Sequence, residues 1–354
     1  MYSLLKRLDS PRFFLVALCS LVGSGTLHSR VSQAPIPESK KGATPAPASA
    51  EQVAPEKLRE DFRILRQALE QEHPGVYRYT PKAKLDHAFE RAEKALDRPM
   101  NVYEFYRIVA PAVAELKCGH TGVHVNPSLN KGKMLLPLVV RALDCKLYVL
   151  RDLSGRQETL VGNEIRAVNG VDASKIVQTM LTAMPGDGDV QTSRLRRMGG
   201  ANFARELIDL LGLESPYTIA LWDDKRGLVH TVRLDGIEAS KLREPRPRDS
   251  ATLTFFDDGQ IADLKINQFG GTANKKDLGV FFQECFSELD KKKSAALILD
   301  LRDNGGGADE LGKLLLSFLI DAPFQYYDDL VLNGLDSSLS KYWPRISKSG
   351  GNAR

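Results

Sequence analysis

Apolar positions divide the chain into stretches of different period. Leu58, Phe62, Leu65 and Leu69 recur at spacings of four, three and four, the signature of one helix face. Leu85, Phe89, Ala92 and Leu96 repeat it, and Val102, Phe105, Val109, Val113 and Leu116 make a third stripe. Asn101 and Glu104 stand as a capping box before that third helix, and Pro111 is expected to kink it. His73-Pro74 ends the first helix, because the residue before proline is pushed out of the α region. The pattern predicts an N-terminal helical domain over 55–135.

The period then shortens. Leu138 to Val140 and Leu147 to Leu150 are β-prone, and Ile165 and Val168 lie in a short strand closed by an Asn169-Gly170 turn. Asp172 is placed to cap a helix carrying Ile176, Val177, Met180 and Leu181. A β-rich domain is predicted over 136–244. From 251 the order becomes strand, helix, strand, helix. Ala262, Leu264 and Ile266 alternate with polar neighbours, and Leu278, Phe281, Phe282, Cys285 and Leu289 form a helix stripe. Ala295 to Leu301 is a near-continuous apolar run, as expected of a strand buried on both faces. Leu311, Leu314, Leu315, Phe318 and Leu319 stripe the next helix, so 251–335 reads as an α/β core.

The two ends differ from this body. Lys6, Arg7 and Arg12 lead into the apolar run Phe13–Val22, followed by Gly23, Ser24 and Gly25. That is the order of a secretory signal over 1–30, too short for a spanning helix. An uncleaved membrane anchor is the competing reading, and Leu18 before Cys19 argues against a lipoprotein site. Residues 31–54 are rich in Pro, Ala, Ser and Lys and read as a linker. Residues 336–354 carry no pattern and read as an irregular tail.

Composition narrows the class. The hydrophobic fraction is 42% of 354 residues, which excludes a disordered, collagenous or multi-span membrane chain. The net charge is +4. Lys6, Arg7, Arg12 and Arg30 against Asp9 place +3 of it in residues 1–30. The remaining +1 gives no electrostatic footprint for nucleic acid. After the signal only Cys118, Cys145 and Cys285 remain, which implies no disulfide framework. No zinc-ligand spacing occurs, so neither a metal nor a cofactor is expected.

Two segments carry candidate chemistry. Asp300-Leu301-Arg302-Asp303-Asn304-Gly305-Gly306-Gly307 lies between the apolar strand and the last helix. Glycines let the backbone approach a ligand, and a helix beginning near Ala308 offers free N–H groups to an anion or oxyanion. No Gly-Lys-Ser/Thr follows, which excludes a P-loop. The other segment is Lys117-Cys118-Gly119-His120-Thr121-Gly122. A histidine between glycines at a helix end is exposed enough to act as a general base. Cys118 two residues away is poorly placed as its nucleophilic partner.

Together, Asp-Leu-Arg-x-Asn-Gly-Gly-Gly after an apolar strand and the upstream Gly-His-Thr resemble the C-terminal processing (tail-specific) serine peptidase family. The likeness is greatest to its tricorn-core branch, and Glu72-His73-Pro74-Gly75-Val76-Tyr77 is similar to a stretch in bacterial members. The resemblance spans about 55–335. It implies an α+β, α/β multidomain fold: a helical segment, a PDZ-like β-rich insert over 136–244 and an incomplete crotonase/ClpP-like core. It implies His120 as general base, Gly305 or Gly306 as oxyanion-hole backbone, and Asp300 and Arg302 as anchors of the turn. The implied partner is a polypeptide substrate or C-terminal peptide, in a periplasmic or extracellular location. The branch using a Ser/Lys dyad does not need His120.

The nucleophilic serine expected beyond the glycine helix is not recognisable. Ser337, Ser338, Ser340, Ser347 and Ser349 lack a preceding buried strand. The chain therefore reads as truncated before its serine segment and inactive alone. The alternatives are a non-catalytic pseudo-peptidase that binds peptides or apolar ligands, and a small acyl hydrolase using Ser337, Ser338 or Ser340.

Overall fold

The computed structural model describes residues 51–224, 227–242 and 248–328, together with the backbone of Ser3–Leu4 and Leu15–Leu18. The linker call up to residue 50, the serine candidates from Ser337 onward and the irregular tail lie outside the described residues. Most of the signal call does as well. Its segment Leu15–Leu18 (β1) is a strand antiparallel to Thr121–His124 (β2).

The chain separates into two compact units, divided between residues 244 and 245. In the first, α1 (Pro55–Glu72), α2 (Lys82–Ala95) and α3 (Val102–Ala114) form where the apolar stripes place them. Phe62 and Phe89 meet edge to face at 6.0 Å between ring centroids. The capping box is present: Asn101 Oδ1 accepts from the Tyr103 and Glu104 amides, and Glu104 returns a carboxylate to the Asn101 amide. α3 runs past Pro111 to Ala114, since a proline in the last turn displaces little helix.

An antiparallel sheet follows, built from β3 (Leu138–Leu143), β4 (Lys146–Asp152), β5 (Glu164–Val168), β6 (Tyr217–Asp223) and β7 (Leu228–Leu234). Their order across the sheet is β7-β6-β5-β4-β3. Ile165 stands between Leu147 and Leu221, all three fully buried. Asn169 and Gly170 both take positive φ, as their tight turn requires. α4 (Ala173–Ala183), α5 (Thr192–Arg197) and α6 (Gly200–Asp209) complete the unit. Asp172 occupies the N-cap of α4 but its side chain makes no capping bond. The residue is instead held in a two-residue strand opposite Ala167. The helices and the sheet share one apolar core, so 55–135 and 136–242 pack as a single body.

Polar groups of α6 are satisfied by partners on α3 and in the turn Pro127–Asn130. Tyr106 Oη donates to Glu206 at 3.0 Å, and Asn130 Nδ2 donates to Asp209 at 2.9 Å. Burial, reinforced by Asp209, pushes the Glu206 carboxyl up to about 7, and burial pushes Asp209 up to about 6. Folding therefore raises proton affinity at both sites. Their contribution to stability is complete below the unfolded carboxylate range and is lost as pH climbs through about 6 to about 7. Glu206→Gln should flatten that decline and raise the unfolding free energy at pH 8 by about 1–3 kcal/mol. Denaturant titrations at pH 4.5 and pH 8 measure this, and an unchanged pH slope in the variant would contradict it.

The second unit is a small three-stranded sheet with two helices. β8 (Ala251–Phe256) pairs antiparallel with β9 (Ile261–Ile266), and β9 pairs parallel with β10 (Ala296–Asp300). The crossover is α7 (Leu278–Lys292), and α8 (Asp309–Ser317) follows the glycine corner. β9 alternates as its sequence requires, with Ala262, Leu264 and Ile266 inward. β10 departs from expectation. It lies at the end of the strand order, and Ile298 is 51% exposed rather than buried on both faces. Among the described residues β10 has one partner, β9, so its apolar character exceeds what this part of the sheet buries.

Candidate functional site

The glycine corner is built outward from β10. Asp300, at the strand's end, is buried. Its Oδ1 accepts from the Arg302 amide at 3.0 Å and Nε at 2.9 Å, and its Oδ2 accepts from Nη2 at 2.8 Å. These bonds from the Arg302 side chain, then its amide, hold the Asp300 carboxyl far below the usual carboxylate range. The pair clamps the first bend of the loop. Asn304 makes the second clamp: Nδ2 donates to Ile266 O at 2.9 Å, and Oδ1 accepts from the Gly306 amide at 2.7 Å.

Gly307 seats the corner on the rest of the unit. Phe269 N donates to Gly306 O at 2.9 Å, and Ala308 N donates to Phe269 O at 2.7 Å. A Cβ on Gly307 would stand 2.0 Å from Phe269 O, and its φ is +147°. Only glycine fits such an approach. α8 then begins without a side-chain cap, leaving its first-turn amides oriented toward the corner.

This geometry separates the three glycines. The Gly306 amide, expected as an oxyanion donor, is already engaged by Asn304. Among the described residues the Gly305 and Gly307 amides donate to no protein acceptor. Gly305 has open space around it. The sequence reading of Gly305 or Gly306 could not show which amide the Asn304 side chain takes.

Beside the corner lies a cleft of about 380 Å³ lined by Phe269, Leu299, Leu301, Gly306, Gly307 and Leu315, among others. Tyr326 also borders it, meeting Tyr327 edge to face at 4.8 Å. Tyr327 Oη donates to Asp309 in the first turn of α8. The wall is largely apolar, and no serine among the described residues lines it.

His120 belongs to the first unit. It is exposed, in the turn between α3 and β2. Cys118 precedes it, half-buried, and Asp187 lies beside both. The Gly119 amide donates to Asp187 Oδ1 at 2.7 Å. Asp187 is 68 residues beyond Gly119, so no local spacing could have disclosed it.

Residues 260–332 match the model of Peptidase family S41. That segment contains β9, β10, the glycine corner and α8, and over it the chain is similar to the serine-type peptidase family that the Asp-Leu-Arg-x-Asn-Gly-Gly-Gly motif resembles. No curated protein sequence matches the chain. Among solved structures it is similar to mature CPAF complexed with lactacystin. The identity is 15% and the TM-score 0.50, over 74% of this chain and 59% of that one. It is also similar to mature CPAF itself, at 16% identity and a TM-score of 0.48, over 74% and 58%. The chain thus spans less than two thirds of the structures it matches. The likeness to the lactacystin complex supports the mixed α and β architecture.

Proposed function

We propose that this protein is an exported serine-type peptidase acting on polypeptides by acyl transfer. The glycine corner supplies the oxyanion hole and His120 the general base. The observation that carries the reading is the undonated Gly307 amide, in a glycine that lines an apolar cleft and is seated against Phe269, with a second undonated amide at Gly305 two residues before it. Amides fixed in advance stabilise a developing oxyanion without reorganising during the reaction. The Asp300–Arg302 and Asn304 clamps act on the loop, not on substrate. Among the described residues the cleft lining offers a tyrosine, Tyr326, but no serine, so this reading assigns no attacking hydroxyl to a described residue. In this reading the β-rich part of the first unit corresponds to a PDZ-like insert, and the second unit to part of a crotonase/ClpP-like core.

Labelling with a fluorophosphonate probe and cleavage of unstructured peptides by the protein expressed from its natural reading frame test the proposal. His120→Ala should lower cleavage roughly a thousand-fold or more, because members of a catalytic set act as a unit. Full activity in that variant would refute the role of His120. The apolar lining favours one alternative, a pseudo-peptidase that binds apolar C-terminal peptides without turnover. Saturable binding in calorimetry with neither labelling nor cleavage would select it.

A further inference from the structure

The cluster around His120 has a second chemistry. One ligating atom each from Cys118, His120 and Asp187 lie within 4.8 Å of one another. We propose that these three side chains form a zinc site with three protein ligands and one open position. Donors around one tetrahedral zinc ion stand about 3.3–3.7 Å apart, given metal–ligand lengths of about 2.0–2.3 Å. Side-chain rotations of about an ångström close the present arrangement onto an ion. Thiolate, imidazole and carboxylate are the donor types zinc takes, and two anionic ligands balance its charge.

The backbone holds the donors together. Gly119 permits the approach of Asp187, because a Cβ there would stand 2.8 Å from Asp187 Oδ2. The Gly119 amide fixes Asp187 Oδ1, and Gly188 N donates to Lys117 O at 2.9 Å, tying the two loops. Thr121 Oγ1 donates to Cys118 Sγ at 3.5 Å, the outer contact that steadies a thiolate ligand. Of the cations nearby, Arg197 also interacts electrostatically with Asp187, so an ion there competes with it. Lys117 pairs with Asp189, Arg197 donates to Pro185 O, and Arg194 donates to Val190 O and Leu181 O.

The consequence rests on the role assigned to His120 above; the metal binding does not. A zinc ion bound through the imidazole takes the lone pair that a general base needs, so the loaded protein is held inactive. Removal of the metal releases it.

Titration of the full chain with cobalt(II) as a zinc probe, and calorimetry with zinc itself, test the site without reference to activity. One ion should bind per chain, with a thiolate-to-cobalt charge-transfer band that survives Cys145→Ser and disappears in Cys118→Ser. Cys118→Ser and Asp187→Asn should each weaken zinc at least about ten-fold. No thiolate band in the unaltered chain, or a band retained by Cys118→Ser, would overturn the proposal. If zinc binds at these residues and cleavage is unaffected, the inhibitory role fails while the site stands.

Discussion

Gly307→Ala is expected to disrupt the glycine corner outright. The added methyl would lie 2.0 Å from Phe269 O, well inside van der Waals contact, on a backbone with φ +147°. Relief requires separating the corner from Phe269, which breaks the bonds from Phe269 N to Gly306 O and from Ala308 N to Phe269 O. The combined strain and lost bonds should cost more than about 3 kcal/mol. Gly305→Ala is the matched comparison. No atom stands within 4 Å of its added methyl, its φ is not positive and its amide is retained. Thermal unfolding of both variants decides the matter. Equal melting temperatures would show that the approach of Gly307 to Phe269 does not exist in solution.

Phe282→Ala should have the next largest effect, and a local one. The second unit has a small core in which Phe282 is fully buried, packed with Leu264, Ile266, Leu278 and Leu315. Removing an aromatic ring from such a site costs about 3–5 kcal/mol, a large share of what a unit this size can hold. Amide exchange should therefore accelerate through 251–317 while 55–234, with its own core, keeps its protection. Uniform acceleration along the chain, or none, would contradict the division of the core into two.

The sequence disclosed most where chemistry is local. The stripes of α1 to α3, the Asn101–Glu104 box and the Asn169-Gly170 turn each depend on neighbours within a few residues, and each forms as read. The Asp300 to Gly307 motif was legible for the same reason, and the match over 260–332 carries it. What failed was what depends on partners distant in sequence. The apolar run of β10 implied a strand buried on both faces, yet among the described residues it has one neighbour and Ile298 is 51% exposed. The occupation of the Gly306 amide depends on the side chain of Asn304, itself anchored on Ile266 O. The contact of Asp187 with the His120 turn joins residues separated by strands β2 to β5 and helix α4, which no spacing rule encodes.

The central claim, that the Gly305 and Gly307 amides receive a developing negative oxygen, can be read directly by amide NMR. A peptide with a free C-terminal carboxylate presents such an oxygen, and the same peptide amidated at its C-terminus does not. On titration the Gly305 and Gly307 amide protons should shift downfield with the carboxylate and stay in place with the amide, while Gly306, bonded to Asn304, holds its position in both. Identical responses to the two peptides, or movement at Gly306 alone, would contradict the account.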